Sequence, residues 1–176
     1  AVPDARVATG WGGRAADLLT ALNRGGGVPL GVSLSGTNVF QAGVQTAEYA
    51  IEAQGDGAPE VAGYGAAAED SFGAARTEAI DRILAGDDAN PLRRAYAGAL
   101  RQAIDNQAQF TAALRGAPAL TTAFSANPFS AALAQIARVI GARDALGARR
   151  QTFFLTFGGW DHHDELIDNQ ARMLPA

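Results

Sequence analysis

The run TFFLTF, at residues 152–157, is apolar at nearly every position. Successive side chains of a strand point to opposite sides, so such a strand needs a sheet whose two faces are both covered. Parallel sheets covered by helices provide this environment, whereas one-sided antiparallel sheets produce an alternating pattern. The run therefore predicts an α/β fold with a strand at about 152–157 in the middle of its sheet.

Other short segments fit the same fold class. The run VPLGVSL, at residues 28–34, is apolar and is followed by turn residues, which predicts a second buried strand. Upstream, apolar spacing from Trp11 predicts a short helix that the glycines at 25–27 end. Residues 39–53 fit either a helix or short strands, and both alternatives stay open.

The middle of the chain is dominated by helical spacing. Apolar residues recur at helical intervals over 67–84 and 92–114, and Gly86 lies between these segments. We therefore expect an inserted helical hairpin at about 67–115. The glycine-rich residues 55–65 predict a surface loop without a core of its own.

Two Asn-Pro pairs mark helix starts. Asn90 is a suitable N-cap and Pro91 a suitable first helical residue, and the same combination recurs at Asn127 and Pro128. The second pair predicts a helix that ends near Gly141. A last helix is expected to follow the acidic segment, from about residue 166 onward.

Length and composition indicate one domain over residues 1–176. A chain of 176 residues with 48% hydrophobic and 18% charged residues can bury a core of its own. A net charge of -4 with scattered arginines argues against nucleic acid as a partner, because phosphate binding needs clustered positive charge. The sequence contains no stretch of about 18 consecutive apolar residues, so no membrane span is predicted.

The composition also restricts chemistry. All 14 basic residues are arginine and there is no cysteine, so these residues offer neither a lysine nucleophile nor a thiolate ligand. Oxygen ligands, imidazoles and hydroxyls remain. They concentrate after the strand at 152–157, where Gly158 and Gly159 lead into WDHHDE, the segment that holds both histidines of the chain.

The candidate metal ligands are Asp161 and His163. In extended backbone, residues two apart point to the same side, whereas His162 points to the other. A carboxylate and an imidazole together form half of a mixed oxygen and nitrogen site, which suits zinc, manganese or iron. The alternative is that Asp161 or Asp164 caps the last helix and the histidines are exposed. For Asp164 we expect the capping role.

Two further groups have both a functional and a structural interpretation. Ser33, Ser35, Thr37 and Asn38 follow the first predicted strand and could bring a hydroxyl near a phosphate, although a polar turn is the commoner explanation. Arg14 in the segment WGGR could reach an anion, although a solvated arginine at a helix start explains it as well.

Three segments, GWGGRAADLL, NPFSAALAQIARVI and FFLTFGGWDHHDELIDNQARMLPA, together resemble the bacterial family called domain of unknown function 1501. That family is a distant relation of the alkaline phosphatase and sulfatase superfamily. In it, a strand leads into a Gly-Gly-aromatic-Asp-x-His segment followed by an Asn-Gln pair and a helix. Asp161 and His163 match the family's Asp and His, and His162 matches its variable position.

The resemblance implies a helix-rich partial α/β/α sandwich of the alkaline phosphatase type, with divalent metal, zinc or manganese, at the strand ends. It further implies hydrolysis or transfer on phosphate or sulfate esters, a small-molecule ester or anion as the partner, and a periplasmic or secreted location, with a cytoplasmic one left open. Family members are longer and carry further acidic and histidine segments. Residues 1–176 are therefore expected to be the central part of a longer domain, inactive alone. The alternative is a non-catalytic exported binding or scaffold module.

Overall fold

The computed structural model describes residues 8–23, 28–55, 57–58, 60–65 and 71–174. Five α-helices and three short strands occur along these ranges, which confirms a helix-rich α/β fold. In chain order the elements are α1 (Trp11–Leu19), a 3-10 turn (Thr20–Leu22), β1 (Gly31–Ser33), β2 (Tyr49–Ala50), α2 (Ser71–Leu84), α3 (Pro91–Arg115), α4 (Pro128–Gly141), β3 (Thr152–Phe154) and α5 (Leu166–Met173).

The described strands form one parallel sheet in the order β2-β1-β3. Val32 of β1 is opposite Tyr49 of β2 and Phe153 of β3. The predicted middle position of the strand near 152–157 is therefore wrong for the described sheet, in which β1 is central. The residues of β3 are half-buried, whereas those of β1 are fully buried.

Both strands are shorter than the predicted 28–34 and 152–157, and side chains end the regular pairing at their carboxyl ends. Beyond β1, the Ser33 hydroxyl donates a hydrogen bond to the carbonyl oxygen of Gly36, which turns the chain. Beyond β3, the Thr156 N–H donates to Ser35 Oγ at 2.8 Å instead of to a main-chain carbonyl. Regular pairing therefore stops within one or two residues of Phe154.

One face of the sheet packs against α3 and α4. Val32 lies in a buried cluster with Phe110 and Leu114 of α3 and Val139 of α4. Tyr49 meets Phe110 edge to face, with ring centroids 5.3 Å apart. Burying one such aromatic or aliphatic side chain contributes about 1.5–3 kcal/mol, so this cluster is the main source of the fold's stability.

α1 and the loop after β1 cover the opposite face. Phe154 alternates in direction with Phe153, and its ring stacks on Phe40 at 5.9 Å. Phe40 in turn lies 6.0 Å from Trp11 at the start of α1. Helices therefore flank the sheet on both sides.

The glycines of WGGR allow α1 to approach this loop closely. The Gly13 N–H donates to the carbonyl oxygen of Phe40 at 3.0 Å, and a Cβ at Gly13 would lie only 2.0 Å from main-chain atoms of Ala42. Arg14 is exposed at the helix start. The fold therefore supports the structural interpretation of WGGR, in which Arg14 is a solvated residue at a helix start.

Of the two alternatives for residues 39–53, the short strand is correct. Only Tyr49–Ala50 is regular, and the loop before it is held by Asp17 of α1. The Asp17 carboxylate accepts hydrogen bonds from the main-chain N–H groups of Val44, Gln45 and Thr46. These bonds, that of Val44 above all, lower the pKa of the Asp17 carboxyl. The glycines at 25–27 lie outside the described residues.

The predicted hairpin is confirmed as α2 and α3, although residues 67–70 lie outside the described ranges. Asn90 caps α3, because its Oδ1 accepts from the Leu92 N–H at 2.9 Å. α3 has 25 residues. None of the helices in the described ranges is both long and apolar enough to cross a membrane. Likewise α4 starts at Pro128 and ends at Gly141, as predicted, with Asn127 as its N-cap.

The described part of the glycine-rich loop, residues 60–65, is attached to the hairpin. The Tyr64 hydroxyl donates to Asp81 Oδ1 at 2.9 Å, and Arg101 Nη2 reaches the same oxygen at 2.6 Å. The Arg101 guanidinium, followed by the Tyr64 hydroxyl, lowers the pKa of the Asp81 carboxyl. Residues 60–65 form a surface loop without a core of its own, as predicted, and these hydrogen bonds attach it to the hairpin.

Candidate functional site

The carboxyl ends of all three strands meet at one edge of the sheet, because the strands are parallel. Loops that follow this edge are the usual location of binding groups in open α/β sheets. Here the edge is formed by the residues after β1, at 34–38, those after β2, at 51–55, and those after β3, at 155–163.

Asp161 and His163 lie together at this edge. His163 Nε2 is 3.5 Å from Asp161 Oδ2, and the two side chains are 88% and 90% exposed. The structure therefore brings together the pair that the two-residue spacing predicted to share a side. His162 differs, since it is half-buried and its Nε2 is shielded without a hydrogen-bond partner among the described residues.

The pair has the separation that a shared metal ion requires. Two ligand atoms bonded at about 2.1 Å to one tetrahedral zinc lie about 3.4 Å apart, close to the 3.5 Å between Oδ2 and Nε2. Within the described residues, no group of three or more His, Cys, Asp or Glu side chains converges on one point. Asp161 and His163 thus fit half of a tetrahedral site.

The backbone before the pair depends on glycine. Gly159 has a φ of +91°, a conformation that side chains disfavour, and an added Cβ would lie 3.3 Å from the Met173 methyl of α5. The chain can therefore turn away from β3 under α5 and present Asp161 and His163 to solvent.

The predicted capping of the last helix by Asp164 is wrong. The N-cap position of α5 is Glu165, which has a left-handed φ of 49° and makes no side-chain capping bond. Asp164 is one residue before the N-cap position. Its main-chain oxygen, not its carboxylate, accepts a hydrogen bond from Asn169 Nδ2 at 3.3 Å. Asp161 does not occupy the cap position either.

The polar residues after β1 form a turn. Ser33 is fully buried, and its Oγ accepts hydrogen bonds from Ser35 N–H and Asn38 Nδ2 in addition to the bond it donates. Ser35 Oγ accepts from Thr156, and Thr37 is exposed. The structure therefore supports the polar-turn interpretation, since the buried hydroxyl is already fully engaged.

An aromatic pocket of about 570 Å³ opens at the same carboxyl edge, with Trp160, the residue before Asp161, in its wall. Ring centroids of Phe129 and Phe157 are 4.6 Å apart, and those of Phe157 and Trp160 are 5.3 Å apart. Sequence reasoning missed this pocket, although Phe129 beside a helix cap and Trp160 after two glycines are signals that could have indicated it. Its walls come from the residues after β1, β2 and β3, the start of α4 and the end of α5: Leu34, Ser35, Ala53, Asn127, Pro128, Phe129, Ala132, Leu155, Thr156, Phe157, Trp160, Met173 and Leu174.

No family model, curated protein or solved structure matches this chain. Function is therefore inferred from the side chains at the carboxyl edge and from the motif resemblance described above.

Proposed function

We propose that this chain is part of a metal-dependent hydrolase-like protein acting on phosphate or sulfate esters, and that Asp161 and His163 are two ligands of its zinc or manganese ion. The observation that supports this proposal is the 3.5 Å separation of Asp161 Oδ2 and His163 Nε2 at the carboxyl edge of a parallel sheet. Both atoms are solvent-accessible and of types that these metals prefer.

The proposed roles follow from the chemistry of the two side chains. The Asp161 carboxylate supplies negative charge, and neutral His163 supplies a nitrogen lone pair, so protons compete with the metal and acid weakens binding. A divalent ion held by Asp161 and His163 would supply Lewis-acid chemistry, in that it would polarise an ester oxygen and lower the pKa of a coordinated water. The glycine turn at Gly159 positions the pair without covering it.

The motif resemblance extends this proposal to the whole protein. Helices on both faces of a parallel sheet are what an alkaline phosphatase-type α/β/α sandwich would contain, and we propose that these residues are its helix-rich central part. A periplasmic or secreted location belongs to the same proposal, because it comes from the resemblance alone.

Zinc titration followed by nuclear magnetic resonance tests the metal site. The chain has two histidines, so their ring signals can be assigned by substitution. We expect zinc to shift the His163 ring signals, Asp161→Asn to weaken the effect, and His162→Gln, the matched control, to preserve it. An unchanged His163 signal at millimolar zinc, or loss of the effect in His162→Gln, would contradict the site.

Turnover is a separate question. Two protein ligands hold a metal weakly, so we expect residues 1–176 alone to hydrolyse neither phosphate nor sulfate esters at a measurable rate. Turnover by these residues that disappears in His163→Ala would refute this expectation and would show that the described ligands suffice.

A second candidate function is a non-catalytic binding or scaffold module. The observation that favours it is an open apolar groove of about 500 Å³ between α2 and α3. Ile83, Leu92 and Tyr96 line this groove and are each more than 70% exposed. Metal bound to the full-length protein without ester turnover would favour this alternative.

A further inference from the structure

The aromatic pocket lies at the same carboxyl edge of the sheet as the proposed metal ligands. Trp160 lines the pocket, and Asp161 is the next residue, so their Cα atoms are about 3.8 Å apart. Other pocket walls come from the residues that follow β1, β2 and β3, so a molecule seated in the pocket lies at the same sheet edge as Asp161 and His163. At about 570 Å³, the pocket falls within the range of small-molecule sites.

The pocket walls favour a flat ring. Phe129, Phe157 and Trp160 are each only partly buried, and their rings are tilted or edge-on to one another, which leaves apolar ring surface open to the pocket. Aromatic rings pair favourably at centroid separations of about 4.5–7 Å, in stacked or edge-to-face arrangements. A planar ring of a ligand can make the same contacts with these side chains.

The polar groups of the pocket argue against a sugar. Asn127 is already engaged, since its Oδ1 accepts from Ser130 N–H at 2.8 Å and its Nδ2 donates to Ser125 Oγ at 2.9 Å. Ser35 Oγ accepts from the Thr156 N–H. Few lining side-chain groups, among them the hydroxyls of Ser35 and Thr156, are left to donate, so a ligand with several hydroxyls would exchange many hydrogen bonds to water for few in the pocket, which disfavours its binding.

We propose that this pocket binds the aromatic ring of the substrate, so that the substrate class is a phosphate or sulfate ester of a ring-bearing alcohol. Hydrolysis would form a bond from the water oxygen to phosphorus or sulfur and break the bond to the alcohol oxygen. One water proton would pass to that oxygen, and the ring-bearing alcohol and inorganic phosphate or sulfate would leave. The ester part of this assignment rests on the proposed function. Ring binding itself needs no metal, so the two can fail independently.

Met173 reports on the pocket directly. It is the only methionine of the sequence and lines the pocket, so methyl-labelled protein gives one signal from the chain itself, assigned by Met173→Leu. In buffer containing a chelator, we expect 2-naphthyl phosphate to shift this signal saturably and inorganic phosphate to leave it unchanged. The absence of a saturable shift at millimolar 2-naphthyl phosphate would overturn the proposal.

Fluorescence of Trp160 provides the variant test. The chain has two tryptophans, so a Trp11→Phe background isolates Trp160. In this background Phe129→Ala should weaken 2-naphthyl phosphate binding about fivefold, as expected for one lost aromatic contact. The matched control is Tyr96→Ala, which removes an exposed aromatic ring from the groove between α2 and α3.

The outcomes separate the two proposals. Unchanged binding in Phe129→Ala, or equal weakening in Tyr96→Ala, would overturn ring binding in this pocket. If Phe129→Ala fails to fold, the shift of the Met173 signal in the unaltered chain decides whether the pocket binds the ring. Ring binding without a zinc effect at His163 would refute the metal site alone, and the reverse result would refute the ring pocket alone.

Discussion

Replacing Gly13 by alanine tests how α1 is attached to the sheet. Gly13 lies inside α1, where alanine would normally be preferred by about 0.5–1 kcal/mol. A Cβ at this position, however, would lie 2.0 Å from the carbonyl carbon and oxygen of Ala42 and 2.3 Å from the nitrogen of Gly43. All these atoms are main chain, so no side-chain rotation can relieve the contact.

The expected magnitude follows from these opposing effects. Overpacking costs about 1–3 kcal/mol. Displacing the loop also lengthens the hydrogen bond from the Gly13 N–H to the Phe40 carbonyl, worth about 1 kcal/mol. Subtracting the helix preference of alanine, of about 1 kcal/mol, leaves a destabilisation of about 1–3 kcal/mol.

Gly98→Ala is the matched control, because Gly98 lies in α3 with no atom within 4 Å of an added Cβ. The same substitution there should stabilise the protein by about 0.5–1 kcal/mol. Urea unfolding followed by circular dichroism measures both free energies of unfolding. If the two variants change stability with the same sign, the proposed packing of α1 against the loop is wrong.

Two further predictions concern buried or hydrogen-bonded polar groups. Asp17→Ala should lower the urea midpoint at neutral pH, because three main-chain N–H groups lose their acceptor. Because the pKa of Asp17 is lowered in the folded state, Asp17 stabilises the fold above its unfolded-state pKa, and this stabilisation is lost as pH falls through the folded-state value. The stability of Asp17→Ala should therefore fall less in acid than that of the unaltered protein. Equal acid sensitivity in both proteins would argue against a stabilising role for the hydrogen bonds that Asp17 accepts from the loop at 44–46. Burial raises the pKa of Tyr49 to about 12, and its hydroxyl has no partner among the described residues. Stability should therefore fall as pH rises from about 10 toward about 12, and Tyr49→Phe should abolish this loss while leaving stability at neutral pH unchanged or higher. A Tyr49→Phe variant with unaltered alkaline unfolding would contradict this.

Helix positions were predictable because their signals are local. Asn90 and Asn127 each cap a helix within three residues of themselves, and the proline that follows fits only the first turn. The start of α5 after a left-handed Glu165 has no such local signal, and this is why capping was assigned to Asp164 instead.

Strand ends and the pocket depended on distant contacts. The end of β3 is set by Ser35, which is 121 residues away from Thr156. The need for glycine at position 13 comes from Ala42, and the pocket combines residues of five separate segments. Apolar runs indicate that strands exist, but only the folded chain determines which residues pair. The D-x-H spacing was informative because its geometry is local to the extended backbone.

A double-mutant cycle on zinc affinity tests the shared metal site most directly. The affinities of the unaltered chain, Asp161→Asn, His163→Gln and the double variant would be measured by titration. If both side chains bind one ion, each single substitution removes most of the affinity, and the second then costs little, giving a coupling well above about 0.5 kcal/mol. Independent, additive losses, or affinity that neither substitution changes, would contradict a shared ion at the 3.5 Å pair.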